Sequence, residues 1–218
     1  MAFDSGTHHR KLRKMTPTSP QGVMARLKAG TAAQHAVAES KPLEAALIDG
    51  SIGQSQYQKY LGQRWLIHRE LESATDRAHK IDSRLASLNL SSLYQTKNLE
   101  TDLAQLKTDL NSIQPLAGAK KLIQSILQAS PATLMGIFYV FEGSKNGARY
   151  ISKALKEKGV TALRYLDPHG EEQRPIWMKF RSDMDAISWS PTEQDSMVSA
   201  AQATFDAISS LDDAIHGD

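Results

Sequence analysis

The sequence contains no cysteine, which excludes disulfides, zinc thiolate centres and thiolate nucleophiles together and leaves the compartment unconstrained by redox. No apolar run approaches the roughly 18 residues that a bilayer-spanning helix needs, and the N-terminal segment has no apolar core of a secretory signal. Cytoplasm is therefore the expected location. Charge of one sign is scarce as well: 26 Lys and Arg stand against 24 Asp and Glu, for a formal net charge of +2. Outside "HHRKLRK" at 8 to 14 the signs are mixed, so nucleic acid is not an expected partner. No stretch alternates as a strand would, and no flavin or nicotinamide fingerprint occurs. The expected fold class is all-α.

With 218 residues, 40% of them hydrophobic and 23% charged, the chain suits one globular domain with a sizeable core. Residues 1 to 19 mix Ser, Thr, Pro, Gly and basic residues without periodicity and read as a disordered basic tail, in which His8 and His9 are tail residues. The domain is expected over 20 to 218. Met24, Leu27, Thr31, His35 and Ala38 fall on one face of a helix, which places His35 on the inward side. "KPLEAAL" gives a short helix closed by "IDG", and Ser55 opens a long one to about Lys80 carrying Trp65 and His68 on its apolar face. Leu99, Leu103, Leu106 and Leu110 predict a helix of about four turns. Further helices are expected over about 117 to 129, from Pro131 to about 158, through "PIWMKFRSDMDAI", and from the Ser190 capping box to about 215.

Two features carry chemistry. His35 has Glu39 one turn on, where a carboxylate can accept the proton of one imidazole nitrogen and leave the other free for a metal. Lys28, two turns earlier on roughly the same side, offers a cation to an anionic ligand. Read from the residues alone, His35 is either such a ligand or a satisfied core histidine. The second feature is "YVFEGSKNGARYI" at 139 to 151, where Gly143 and Gly147 sit one turn apart inside a long helix. Each costs about 1 kcal/mol relative to alanine there. They either admit another helix closely or lay bare backbone against a flat ligand, and Lys145, Asn146 and Arg149 between and beside them suit the ligand better than a tight seam.

"LKAGTAAQHAVAES" at 27 to 40 resembles the proximal-helix motif of haem oxygenases, L-K-x-x-T-x-x-x-H-x-x-x-E, and "YVFEGSKNGARYI" is similar to the distal motif of bacterial members, Y-V-L-E-G-S-x-L-G-G-x-x-I. The order and separation of the motifs fit, and "FRSDMDAI" with "AAQATF" extends the likeness over about 20 to 212. The resemblance implies haem b held between two helices, as cofactor and substrate, and cleaved with O2 to biliverdin, carbon monoxide and ferrous iron. His35 would be the iron ligand and Glu39 its orienting partner. Gly143 and Gly147 would form the bent distal wall, with Lys28 and Arg181 on the propionates. Lys179 reads either as a solvated surface residue or as a helper on the propionates, and His68 as core or, alternatively, as a second haem contact or ligand. The electron donor would be external: a ferredoxin, a flavodoxin or a reductase.

The sequence also departs from the family. Ala148 stands where a second glycine is usual, adding a methyl expected to narrow the distal pocket. Asn146 replaces an apolar residue, Ser144 stands at a mammalian aspartate, and Phe138 at a mammalian tyrosine. Proton delivery would then run through ordered water, Ser144 and Asn146. These changes also motivate an alternative, a haem-binding relative that stores, transfers or senses haem without degrading it.

Overall fold

The computed structural model describes residues 22–217; the expected tail at 1 to 19 lies outside them. Eight α-helices follow one another among these residues: α1 Val23–Glu39, α2 Pro42–Ile48, α3 Gln54–Ile81, α4 Thr96–Gln105, α5 Ala117–Leu127, α6 Pro131–Glu157, α7 Gln173–Ala186 and α8 Pro191–His216. No strand occurs among them. The starts of α6 and α8 are written in the sequence. Ser130 accepts the Thr133 N–H at 3.2 Å ahead of Pro131, while Ser190 Oγ accepts from Glu193 N at 3.3 Å and Glu193 accepts from Ser190 N at 2.8 Å.

The expected four-turn helix over Leu99 to Leu110 is shorter than its leucine spacing implies. α4 stops at Gln105, where Lys107 takes a left-handed conformation with φ of 56°. Its N–H bonds to Ala104 O at 3.0 Å and the Thr108 N–H to Leu103 O at 2.9 Å, a Schellman closure without its usual glycine. Leu106 and Leu110 still pack onto the core, but from outside the helix.

The central pair is α6 and α8, with α1, α2 and α5 also packed on α8 and with α3 and α7 on α6. Gly136 makes the central crossing: a Cβ there would lie 2.2 Å from Met197 O, so only bare backbone fits. α1 lies along α8 in the same direction, since Arg26 bonds Gln194 at 3.0 Å, Gly30 abuts Val198, His35 touches Phe205 and Lys41 reaches Asp213 at 2.6 Å. Gly50, just past α2, lies against Ala154 and Lys158 near the far end of α6. α1 and α6 therefore run the same way, both braced on α8.

Polar residues thread the interior. Lys145 Nζ donates to Glu142 at 2.6 Å and to Leu93 O at 2.9 Å, while Glu72 accepts the Gln95 and Thr96 N–H groups at 2.6 and 2.9 Å. Arg64 lies over the Tyr60 ring, 3.7 Å from Asp212. Buried charges persist because each has such a partner.

Candidate functional site: a crevice between α1 and α6

The two helices meet where Thr31 on α1 faces Tyr139 on α6. Thr31 Oγ1 donates to Leu27 O at 2.8 Å, and the Tyr139 hydroxyl engages the Thr31 side chain. Burial raises the Tyr139 pKa, while the Thr31 bond and the nearby Arg181 charge lower it in part. Because the helices run the same way, the next turn beyond this contact carries His35 on one side and Gly143 on the other.

The His35 ring packs edge-on against Phe205, with centroids 5.4 Å apart, and its Nδ1 lies 3.2 Å from Glu39 Oε2. Nε2 has no partner among the described residues and is the nitrogen left for a metal. The inward placement expected from the periodicity is corrected here: the His35 side chain is 54% exposed. Met24, Leu27, Thr31 and Ala38 are the buried members of that stripe, and His35 sits at its exposed edge. No three His, Asp or Glu side chains converge to hold a metal ion among the described residues. The donor set is thus one imidazole, which suits a metal whose other ligands come with a macrocycle.

Opposite, the two glycines differ. A Cβ on Gly143 would meet Trp177 Cη2 at 3.4 Å, whereas on Gly147 it would meet nothing within 4 Å. Trp177 stacks on Phe180 at 5.8 Å and lies 5.9 Å from the Tyr139 ring, so α7 folds an aromatic cluster over the first glycine and leaves the second bare. Of the two, only Gly147 is free of a neighbouring helix; Gly143 lies under α7. Around them Ser144 Oγ donates to Phe141 O at 2.9 Å and Asn146 Nδ2 to Gly143 O at 3.1 Å, both folded back on α6. Each keeps its side-chain oxygen as an acceptor.

Several expected neighbours lie elsewhere. Ala148 packs on the core cluster of Leu43, Leu61 and Leu155, on the side of α6 away from the glycines, so its methyl does not narrow the crevice. Lys145 is buried beside Glu142 rather than at the site. Phe138 is buried against Phe180, and the adjacent Tyr139 supplies the hydroxyl at the crevice. The unbroken α-helical run of α6 through both glycines carries no local break. His68 is a core residue: it touches Phe141 and Tyr165, lies 3.8 Å from Glu72, and is held neutral by burial with the Lys145 and Arg64 charges adding to the effect. Lys179 pairs with Asp183 at 2.6 Å on the surface.

Lys28 is exposed and without a protein partner among the described residues, one turn before Thr31, and Arg181 acts on Tyr139 from α7. Both cations therefore belong to the Thr31–Tyr139 end of the crevice. Sequence reasoning missed Tyr139, Trp177 and Phe205 as members of the site. Only Tyr139 carried a signal, its place in the glycine motif; the other two are brought in by tertiary packing.

The sequence model of the haem oxygenase family matches residues 21–211. Haem oxygenase 1 of Nostoc sp. is 23% identical over 195 residues, covering 83% of this chain and 80% of its own. Among solved structures, haem oxygenase from Leptospira interrogans superposes with a TM-score of 0.80 at 19% identity, over 88% of this chain and 98% of that one. Haem oxygenase-2 of Synechocystis sp., in complex with haem and NO, gives 0.81 at 18% identity, over 90% and 86%. A domain of unknown function from Shewanella denitrificans with a haem-oxygenase-like fold gives 0.72 at 13%, over 91% and 94%.

Proposed function

The chain belongs to the haem oxygenase family, and from that premise we propose that it binds haem b in the α1–α6 crevice and cleaves it to biliverdin, carbon monoxide and ferrous iron. The observation that carries this reading is the pairing of an imidazole whose Nδ1 is engaged by Glu39 at 3.2 Å with a glycine turn on the opposite helix in which Gly147 is bare and Gly143 has Trp177 against it. Haem supplies the dioxygen chemistry and is itself the molecule oxidised. His35 Nε2 would hold the haem iron, and Glu39 would fix the imidazole's tautomer and direction by accepting at Nδ1. Gly147 would let the macrocycle approach bare backbone, and Gly143 would do so beside Trp177. Lys28 and Arg181 receive the propionates, and charge-assisted bonds at that end set which ring edge faces inward. Ser144 and Asn146 keep their oxygens as acceptors for ordered water. Electrons come from an external donor such as a ferredoxin, flavodoxin or reductase.

Haemin titration of the wild type and His35→Ala tests the ligand assignment. The wild type should give a sharp Soret band that the variant loses, and equal spectra would refute the axial role. Adding a reductant under air should then convert the Soret band to bilin absorption; a band that persists would leave haem holding, not haem cleavage, as the function.

A further inference from the structure

A second concavity lies beside the crevice. It has a volume of about 1240 Å³ and is bounded by the C-terminal half of α6, the loop after it and the start of α7. Small-molecule sites are concave and usually span roughly 300–1,000 Å³, so this cleft has room for a whole organic ligand. Five cations line it, Arg149, Lys153, Lys156, Arg164 and Arg174, against one carboxylate, Asp167. That carboxylate is taken by Arg149 at 3.3 Å. The other four cations make no side-chain bond within the described residues.

The lining also offers apolar surface. Tyr150 and Met178 are 78% and 52% exposed, unusual for side chains of their size, and both belong to the cleft with Trp177. At its inner end Gln173 is 0% exposed, yet neither atom of its amide has a hydrogen-bond partner. Leaving such a group unmet is costly in a buried site, and a polar ligand atom would remove that cost. Asn146 and Trp177 are shared walls: Asn146 bonds the Gly143 carbonyl and Trp177 covers Gly143, while both line the cleft.

We propose that this cleft is a second binding site, outside the His35 crevice, for a tetrapyrrole dicarboxylate, with Lys153, Arg164 and Arg174 meeting its carboxylates, Tyr150 and Met178 its flat apolar body, and Gln173 a polar group at the inner end. The choice of tetrapyrrole rests on the function proposed above; the anionic, apolar and concave character does not. One ligand chemistry has two sources here, the open-chain product leaving the crevice and intact haem waiting to enter it.

The test titrates purified biliverdin and, separately, haemin into the full chain, reading induced circular dichroism of the pigment and quenching of tryptophan emission. Biliverdin binding should survive His35→Ala and weaken about tenfold, close to 1.4 kcal/mol, in Lys153→Glu/Arg174→Glu. That variant alters only exposed side chains, and its haemin Soret band should match the wild type. Gln173→Leu should also weaken biliverdin while leaving the Soret band in place. Unchanged biliverdin affinity in the charge-reversed variant would overturn the proposal, as would loss of biliverdin binding in His35→Ala. In His35→Ala, competition by haemin assigns the cleft to either tetrapyrrole, and no competition assigns it to the open-chain one; both results uphold the site. Because biliverdin is supplied from outside, a protein that fails to degrade haem can still pass or fail this test.

Discussion

Glu39 is exposed and bonded to nothing but His35 among the described residues, so its removal separates orientation of the imidazole from packing. Glu39→Ala should leave urea stability within about 0.5 kcal/mol of wild type, as for other surface changes, and weaken haemin binding about tenfold, the low end of what such partners contribute. An unchanged haemin affinity would remove Glu39 from the site. The His35–Glu39 pair was legible in the sequence because it depends only on helical spacing. The exposure of His35 was not, since a periodic stripe gives the direction of a side chain and not whether a neighbouring helix covers it. The same limit applied to Ala148: its position beside the glycines in sequence suggested the crevice, and a rotation of one residue along the helix turns it to the core.

Among elements, α6 holds three glycines under different demands. Gly136 is required by packing, and Gly136→Ala should destabilise the fold by about 3 kcal/mol or more, because the methyl would meet backbone that has nowhere to move. Gly147 is under no such demand. Gly147→Ala should raise the stability of the haem-free protein by about 0.5–1 kcal/mol through helix propensity and lower the unfolded chain's freedom, yet weaken haemin binding or turnover. Urea melts and haemin titration of the two variants should diverge in this way; a Gly147→Ala protein that is both more stable and fully active would release the glycine from its proposed role. Gly143 and Gly147 stood out in the sequence because they interrupt a motif, whereas the need for Gly136 is set by Met197 on a different helix and leaves no local mark. α4 was misjudged for a related reason: Lys107 adopts a left-handed closure that glycine usually announces.

At the scale of the whole molecule, Asp212 brings α8 against α2 and α3 with its pKa raised to about 6, chiefly by burial, with Asp213 adding to the rise and Arg64 and Lys41 opposing it. Burial likewise raises Glu44, and the Asp212 charge adds to it. The folded state thus holds the Asp212 proton more tightly than the unfolded chain. The contribution to stability is full below the unfolded value near 4 and is lost as pH rises through 6, and its size is on the order of 3 kcal/mol. Compared with Asp212→Asn, the wild type should therefore gain relative stability between pH 7 and pH 4.5; parallel urea midpoints for the two proteins across that range would refute the assignment. The all-α class and most helix starts were legible because caps and periodicity are local, while the crevice itself arises from two helices brought together by a third. Since Phe205 and Val198 hold α1 and Met197 holds α6, all within three turns of α8, the width between the walls is inherited from α8 and not from either wall. Grafting α1 and α6 of a relative onto this chain would transplant the ligating groups but keep the native gap, whereas grafting α8 alone would rescale the opening for every residue that faces it.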